Sequence, residues 1–157
     1  MAKEKTDPNF DFDLKDEYKP EPLILQGNYT ANTIAVALDI EHHCIVWKIA
    51  LDGNGGVMSD GETAVDGAHL YFRNWLPTKG DENEMSANGR STKRQSKVNM
   101  LTRFSEDMKL DMNSIAVIQK SIEDQDWIGI PVNVKISISE YQGNVRNEVN
   151  NMTQSTD

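Results

Sequence analysis

The feature that most constrains the fold of this chain is a strict alternation of apolar and polar residues after Pro131. The apolar positions are Val132, Val134, Ile136 and Ile138, and the polar positions are Asn133, Lys135, Ser137 and Ser139. A period of two residues predicts a β-strand with one buried face. Gln142-Gly143-Asn144 follows, and glycine and asparagine accept the positive φ angles that tight turns require. The sequence therefore predicts a β-hairpin from Pro131 to Met152.

Pairing across a two-residue turn would give the two faces of this hairpin different roles. The face expected to close the core carries Val134, Ile136, Ile138, Val145 and Val149. The opposite face carries Lys135, Ser137, Ser139, Tyr141, Arg146 and Glu148. The pattern thus predicts one apolar face and one outer face on which Lys135, Tyr141 and Arg146 can form a wall of a binding groove.

Three earlier segments also have the composition of strands. Tyr29 to Leu38 and Ile45 to Leu51 show period-two apolar patterns, and the apolar row of the first segment is Ile34, Val36 and Leu38. Ala68 to Leu76 follows a loop, Asp52 to Gly67, that holds five of the chain's ten glycines. Trp47 stands in the apolar row of the second segment, so we expect it in the core.

Helical spacing occurs only between the third and fourth predicted strands. Ser96 is a suitable cap for a helix whose apolar residues recur every three or four positions through Met108. A second short helix, Met112 to Ile122, has Asn113 or Ser114 as its cap. Three strands, a helical connection and two more strands match a mainly β fold with a short helical insert, arranged as a five-stranded OB-fold-like barrel.

The composition places both ends of the chain outside this domain. Only 38% of the 157 residues are apolar, which is below the usual globular average. We predict an acidic, disordered arm over residues 1–22, an OB-fold-like domain over residues 23–152 and a short polar tail over residues 153–157. Because Phe10, Phe12 and Tyr18 lie among the acids of the arm, a second hypothesis is a segment that docks onto a partner or shields the protein's own site.

The overall charge at first argues against nucleic-acid binding, because the net charge is −9 and nucleic-acid-binding domains are usually basic. Charge is unevenly distributed, however, and screening limits its reach to roughly 8–10 Å at physiological salt. One region contains the basic residues Arg73, Lys79, Arg90, Lys93, Arg94, Lys97 and Arg103. Within it, Arg90 to Lys97 is either a solvated loop or a mobile arm that closes over a phosphate backbone.

Cysteine content and hydropathy indicate the cellular compartment. The single cysteine, Cys44, excludes an intramolecular disulfide and fits a reducing environment. No apolar run approaches the roughly 20 residues that span a bilayer, and the N-terminus has no signal-peptide core. We therefore expect a cytoplasmic protein with no membrane partner.

The motifs that suggest catalysis or metal binding are incomplete. Only His42 and Cys44 of the run His42-His43-Cys44 could face one ligand from a strand, and no second pair completes a metal site. The loop after Asp52 begins like a calcium loop, yet Thr63 occupies the position of the bidentate acid. No Ser/His/acid group can be assembled around His69. We therefore predict a binding protein and not an enzyme, without a metal or cofactor.

The third predicted strand carries the most informative side chains. Leu70 and Phe72 are expected to face the core. Tyr71, Arg73 and Trp75 then form an exposed row, in which rings can stack on bases for roughly 1–3 kcal/mol each while arginine contacts phosphate. The alternative is that the two aromatic rings cover one end of the barrel beneath the helices.

With these residues assembled, the chain resembles the small OB-fold single-stranded-DNA-binding proteins encoded by bacteriophages. The resemblance covers Leu23 to Met152 and rests on patterns of strand and turn residues. These patterns are Gln26-Gly27-Asn28-Tyr29, Ile45-Val46-Trp47-Lys48-Ile49, Tyr71-Phe72-Arg73-Asn74-Trp75-Leu76, Ile128-Gly129-Ile130-Pro131-Val132-Asn133-Val134 and Glu140-Tyr141-Gln142-Gly143-Asn144-Val145-Arg146-Asn147-Glu148-Val149. It implies non-sequence-specific binding of single-stranded DNA in phage replication or recombination, with Tyr71, Arg73, Trp75 and Tyr141 in the groove. The acidic C-terminal tail that many such proteins use to recruit partners does not occur here, and the acids and aromatics lie in the N-terminal arm instead.

The chain thus has one candidate site and one alternative function. The candidate nucleic-acid-binding residues are Tyr71, Arg73, Trp75, Lys79, Arg90, Lys93, Arg94, Lys97, Lys135, Tyr141 and Arg146. The expected partners are single-stranded DNA and phage or host replication proteins. The alternative is an acidic phage interaction protein, a DNA mimic or host-factor inhibitor that does not bind DNA.

Overall fold

Five strands form one antiparallel sheet. The computed structural model describes residues 8–155, so the predictions for residues 1–7 and 156–157 lie outside it. The strands are β1 Gly27–Asp39, β2 Cys44–Leu51, β3 His69–Trp75, β4 Pro131–Tyr141 and β5 Asn144–Gln154. Their order in the sheet is β3-β2-β1-β4-β5. The mainly β fold and the five predicted strands are confirmed.

The sheet is open. Within the described residues no backbone ladder joins the edge strands β3 and β5, although they approach within contact distance of each other. Strand twist and β-bulges curl a sheet in this way without closing it. The structure therefore shows a curved five-stranded sheet without a closed ladder, and the OB-fold-like barrel stays a prediction.

The core lies on the concave side of the sheet. Ile45, Trp47, Ile49 and Leu51 of β2 are all buried, which confirms the predicted apolar row. The Trp47 ring stacks on Trp127 with the ring centroids 5.4 Å apart, so both tryptophans belong to the core.

Within residues 8–155, three helices accompany the sheet. They are α1 Leu14–Glu17, α2 Lys93–Met108 and α3 Ile115–Glu123, and a 3-10 turn spans Asp81–Asn83. The long helix α2 covers the concave side of the sheet, because its Phe104 ring lies 5.5 Å from the Trp47 ring and 5.6 Å from the Phe72 ring. Helix α3 is capped by Ser114, whose hydroxyl accepts a hydrogen bond from the Val117 N–H, as predicted.

A β-bulge in β1 changes which side chains face the core. Thr33 pairs with Ile49 and Ala35 pairs with Lys48, so Ile34 is the extra residue. Ile34 was predicted to lie in the apolar row with Val36, but it is exposed because the bulge turns it out of the pleat.

The residue before the bulge, Thr33, is buried and fixes the loop between α3 and β4. Its hydroxyl donates to the Trp127 carbonyl (2.7 Å) and accepts from the Ile130 N–H (2.9 Å). Its backbone carbonyl also accepts from the Gly129 N–H at 2.7 Å. These bonds hold Trp127 in position to stack on Trp47.

The C-terminal hairpin forms with a two-residue turn, as predicted, and the turn residues are Gln142 and Gly143. Ile136 pairs with Val149 and Ser139 pairs with Arg146, which confirms the predicted facing of the side chains. Val145 is nevertheless not a core residue: it is 50% exposed, because it lies near the hairpin tip beyond the core.

A second bulge, at Asn150, changes the facing of the last residues of this hairpin. Lys135 pairs with Asn151 while Ile136 pairs with Val149, so Asn150 is unpaired and the later residues change faces. Met152 therefore enters the core and is fully buried. Strand β5 continues to Gln154, two residues beyond the predicted domain end at 152.

The described part of the N-terminal arm lies on the surface. Residues 8–22 have no buried side chain, and their only helical turn, α1, is capped by the Asp13 carboxylate. The arm joins the domain at Leu23, whose N–H donates to the Ser59 hydroxyl at 2.8 Å. No helix in residues 8–155 has the length and apolar character needed to cross a membrane.

Candidate nucleic-acid interface

The outer face of β3 presents the predicted aromatic–basic–aromatic row. Tyr71 and Trp75 are 52% and 51% exposed, and Arg73 between them is also exposed. The alternating Phe72 side chain packs against the core, so the alternation places the row on the convex side of the sheet. The helices lie on the other side, and the alternative that these rings cover a barrel end beneath the helices is wrong.

A buried hydrogen bond fixes the orientation of β3. The Trp47 indole N–H donates to the Asn74 side-chain oxygen at 2.6 Å, and both residues are buried. Buried polar groups need such partners. Because Asn74 is held on the core face, its neighbours Arg73 and Trp75 must project outward.

Lys48 is part of this face, and the sequence-based set omits it. It pairs with Tyr71 across the β2–β3 ladder, and its ammonium lies 5.8 Å from the centre of the Tyr71 ring. That distance is within the range of a cation–π contact. The alternation of residues in β2 could have identified Lys48, because it follows the core residue Trp47 and must lie on the opposite face.

Small side chains form the floor beside the row. On β1, Ala35 pairs with Lys48 and Ala37 pairs with Val46, and both alanines are exposed. A planar base can therefore approach the sheet closely beside Tyr71 and Lys48. The floor offers no hydrogen-bonding side chain for recognising particular bases.

A carboxylate marks one end of the interface. Asp39 of β1 pairs with Cys44 of β2, and Cys44 in turn pairs with Trp75 of β3. Hydrogen bonds from the His42 backbone and ring lower the Asp39 pKa, and the nearby Arg73 guanidinium lowers it further. Asp39 is therefore ionised at neutral pH and repels phosphate at this end of the face.

The basic segment Arg90 to Lys97 is not a free loop. Helix α2 begins at Lys93 and is capped by Thr92, whose hydroxyl accepts from the Gln95 N–H at 3.0 Å. The predicted cap, Ser96, lies inside the helix. The structure places Lys93 to Lys97 in this helix, whereas the mobile-arm hypothesis treated Arg90 to Lys97 as one loop.

Two lysines of this segment are neutralised by acids. Lys97 contacts the Asp81 carboxylate at 2.9 Å, and Lys93 contacts Glu84 at 3.1 Å. The Lys97 ammonium and the Thr78 N–H hold the pKa of Asp81 at about 2. Lys93 and Lys97 are therefore less available to phosphate than the sequence suggested.

The remaining basic residues of this region are exposed. Arg90 lies in the loop before α2, and Lys79 and Arg94 line a groove beside the α2 N-terminal half. The same groove is lined by Leu76, which follows Trp75 directly. Lys79 and Arg94 thus lie next to one end of the aromatic row.

The hairpin residues form separate patches. Lys135 lies in a shallow depression of about 310 Å³ with Asn28, Asn133 and Asn151. Strand spacings of roughly 3.3 Å per residue and 4.8 Å per strand put it on the order of 25 Å from Tyr71. Lys135 therefore does not belong to the aromatic cluster, although one extended nucleic-acid strand could contact both.

The hairpin tip carries the last two predicted residues. The Arg146 guanidinium lies 5.8 Å from the Tyr141 ring centre, and its Nη2 also contacts Glu148 at 3.4 Å. Tyr141 is exposed. The structure thus brings Tyr71, Arg73 and Trp75 together and leaves the tip as a separate aromatic–basic pair.

Neither candidate metal motif forms a cation site in the structure. The His42 ring contacts Asp39 at 2.8 Å, whereas Cys44 is buried, which raises the pKa of its thiol. In the glycine-rich loop, the Asp66 carboxylate accepts hydrogen bonds from the Asn54 and Gly55 N–H groups. Among residues 8–155, no group of three or more His, Cys, Asp or Glu side chains is placed to hold a metal ion.

The chain was compared with protein-family models and with curated proteins. No family model matches, and no curated protein gives a significant match.

Proposed function

We propose that this protein binds single-stranded DNA without sequence specificity, through the outer face of β3 and β2. The observation that carries the proposal is the exposed row Tyr71, Arg73 and Trp75, with Lys48 against the first ring. Large exposed aromatic residues that alternate with an arginine are unusual on a surface that binds no ligand. They provide two stacking platforms separated by one phosphate-binding group.

The chemistry of binding follows from these side chains. Bases stack on Tyr71 and Trp75, while Arg73 and Lys48 contact the backbone phosphates. Because Ala35 and Ala37 have no hydrogen-bonding group that could contact a base edge, binding does not depend on the base sequence. The chain's net charge of −9 limits non-specific attachment to duplex DNA. Binding needs no metal or cofactor.

The proposed architecture is an OB-type barrel left partly open. The approach of β3 to β5 and the placement of α2 between strands three and four support this proposal. The resemblance to phage-encoded proteins supports a role in phage DNA replication or recombination, in the cytoplasm of the host cell and beside phage or host replication proteins.

A second candidate function is an acidic interaction protein that binds a host factor as a DNA mimic. The net charge of −9 and the exposed acidic arm favour it. Such a protein has no use for the row of Tyr71, Arg73 and Trp75. It would bind no oligonucleotide at low salt, where electrostatic contacts are strongest.

A fluorescence-anisotropy titration of a labelled, unstructured oligonucleotide tests the proposal. The double variant Arg73→Ala with Trp75→Ala removes one phosphate contact and one stacking platform. We expect its affinity to fall at least about tenfold. Wild-type affinity should decrease as salt rises, with a log–log slope of about −0.7 per neutralised phosphate.

The matched control is Met100→Ala with Arg103→Ala. These two residues are also one apolar and one basic side chain, exposed on α2, and their loss should leave oligonucleotide affinity within about twofold. Thermal unfolding of both variants checks that the domain is intact. Absence of binding at low salt, or equal affinity of the β3 variant and wild type, would overturn the proposal.

A further inference from the structure

An apolar groove lies between α2, α3 and the far ends of β1 and β3, where it adjoins the Trp75 end of the aromatic row. Its volume is about 740 Å³. Its apolar lining includes Leu38, Ile40, Leu76, Val98, Leu101 and Ile115. Ile40 and Ile115 are 74% and 52% exposed, so a substantial apolar surface has no partner within the described chain.

The N-terminal arm has the complementary composition. Phe10, Phe12, Leu14 and Tyr18 are each 68–74% exposed. They alternate with acids, of which Asp11, Asp13 and Asp16 are nearest. Large apolar side chains held in water at this density are costly and typical of a segment that docks on a surface.

Charge supports the fit between groove and arm. Lys79 and Arg94 lie on the groove and outnumber its one carboxylate, Asp39. Between residues 8 and 22 the arm carries five acids and two lysines. The aromatic side chains of the arm can pack on the apolar surface of the groove while its carboxylates lie near Lys79 and Arg94. Both apolar burial and opposite charge therefore favour association.

We propose that this groove binds the acidic–aromatic arm of a second copy of the chain. The distance that the arm can span favours a groove on a second copy over the groove of its own domain. The arm leaves the domain at Leu23, beside the start of the 13-residue strand β1, whereas Leu38 and Ile40 lie at its far end. That strand spans up to about 40 Å, and a flexible segment as long as residues 8–22 has an end-to-end distance of roughly 20 Å.

The resulting contact is head-to-tail, because the arm and the groove are different surfaces. A head-to-tail contact leaves one free arm and one free groove in every dimer, so it can repeat into longer chains. The association needs no nucleic acid, and it stands whether or not the outer face of β3 binds DNA.

Sedimentation velocity of the nuclease-treated full chain tests this proposal. The average mass should rise above the 17.7 kDa of one chain as concentration increases. Ile115→Glu places a carboxylate on the groove floor at a helix start that tolerates acids, and Arg94→Glu reverses the rim charge. Each should weaken self-association about tenfold or more, and so should Phe10→Ala with Phe12→Ala.

Two matched variants separate the groove from general charge effects. Arg103→Glu reverses a basic residue on the same helix that does not line the groove, and it should leave association unchanged. Adding Asp11→Lys to Arg94→Glu should restore part of the lost association, because it recreates an opposite-charge pair.

Three outcomes would overturn the proposal. The chain could remain at 17.7 kDa at every concentration, or association could survive both groove variants and the arm variant. A labelled peptide of residues 8–22 could also bind the groove while the full chain stays monomeric. That last result would mean that the groove takes a different occupant in the full chain.

Discussion

Among single residues, Thr33 of β1 has a central role because it holds the loop between α3 and β4 against the sheet. It is the most buried polar side chain in β1, and its hydroxyl serves both the Trp127 carbonyl and the Ile130 N–H. Thr33→Val keeps the shape of the side chain but leaves these two backbone groups without a partner. We expect a loss of about 1–3 kcal/mol in the free energy of unfolding, measured by urea denaturation.

Thr153→Val is the matched control for this substitution. Thr153 is a half-buried threonine on β5 whose hydroxyl makes no hydrogen bond to a described residue. Its replacement should change stability by no more than about 0.5 kcal/mol. Equal effects of the two substitutions would contradict the role assigned to the Thr33 hydroxyl.

Asp81 makes stability depend on acid pH. Its carboxylate accepts hydrogen bonds from Lys97 and from the Thr78 N–H, which lower its pKa from 3.8 to about 2. Because the folded-state pKa is the lower one, the contribution is complete above about pH 4 and is lost as pH falls toward 2.

The variant Asp81→Asn should therefore be less stable than wild type at pH 6, and the difference should shrink between pH 4 and pH 2. Urea denaturation of both proteins across this range provides the measurement. A difference that does not vary with pH would show that the carboxylate charge is not the stabilising feature.

Residue parity predicted the exposed row of β3 because no bulge interrupts that strand. Tyr71, Arg73 and Trp75 alternate with core-facing residues, and the ladder with β2 preserves the alternation. Lys48 could have been added by the same rule, applied to two neighbouring strands together. The pairing of Lys97 with Asp81 could not be predicted, since it joins residues 16 positions apart through a loop of irregular backbone.

At the scale of elements, the hairpin turn controls the pairing of β4 with β5. Gln142 and Gly143 have φ angles of 51° and 80°, the left-handed pair that a two-residue hairpin turn requires. Gly143→Val forces a β-branched residue into this conformation. We expect it to lower the free energy of unfolding by about 1–2 kcal/mol, measured by chemical denaturation.

Gln142→Asn provides a control of opposite sign, because asparagine accepts the left-handed region more readily than glutamine. This variant should be as stable as wild type or more stable. If Gly143→Val had no effect on stability, the turn geometry described here would be incorrect.

The alternation of residues predicted the elements better than their irregularities. The strands of the hairpin followed from period two, whereas the bulges at Ile34 and Asn150 each insert one residue without a distinctive sequence signal. Each bulge reverses the face of every later residue in its strand. For that reason Ile34 was wrongly assigned to the apolar row, and the burial of Met152 was not predicted.

The start of α2 shows how two plausible caps compete. Thr92 and Ser96 can both accept a hydrogen bond from the residue three positions later, and the structure uses Thr92. Starting one turn earlier brings Lys93 and Lys97 into reach of Glu84 and Asp81. Two ion pairs therefore accompany the observed start of the helix.

At the scale of the whole molecule, the structure combines an acidic chain with a locally basic and aromatic surface. The sheet places α2 on its concave side and leaves the convex side of β3 and β2 free. Composition could not predict this separation, because net charge carries no information on where charges meet. Barrel closure was also beyond the sequence, since it depends on the summed twist of five strands and two bulges.

Tryptophan fluorescence measures whether bases stack on the outer face of β3. Of the three tryptophans, Trp47 and Trp127 are buried at 0% and 3% exposure, while Trp75 is 51% exposed. Titration with an unstructured oligonucleotide should quench the emission of Trp75 alone. Trp75→Phe should abolish the quenching but retain most of the affinity, because phenylalanine still stacks. If saturating oligonucleotide caused no quenching, or if quenching were equal in Trp75→Phe and wild type, bases would not stack on Trp75.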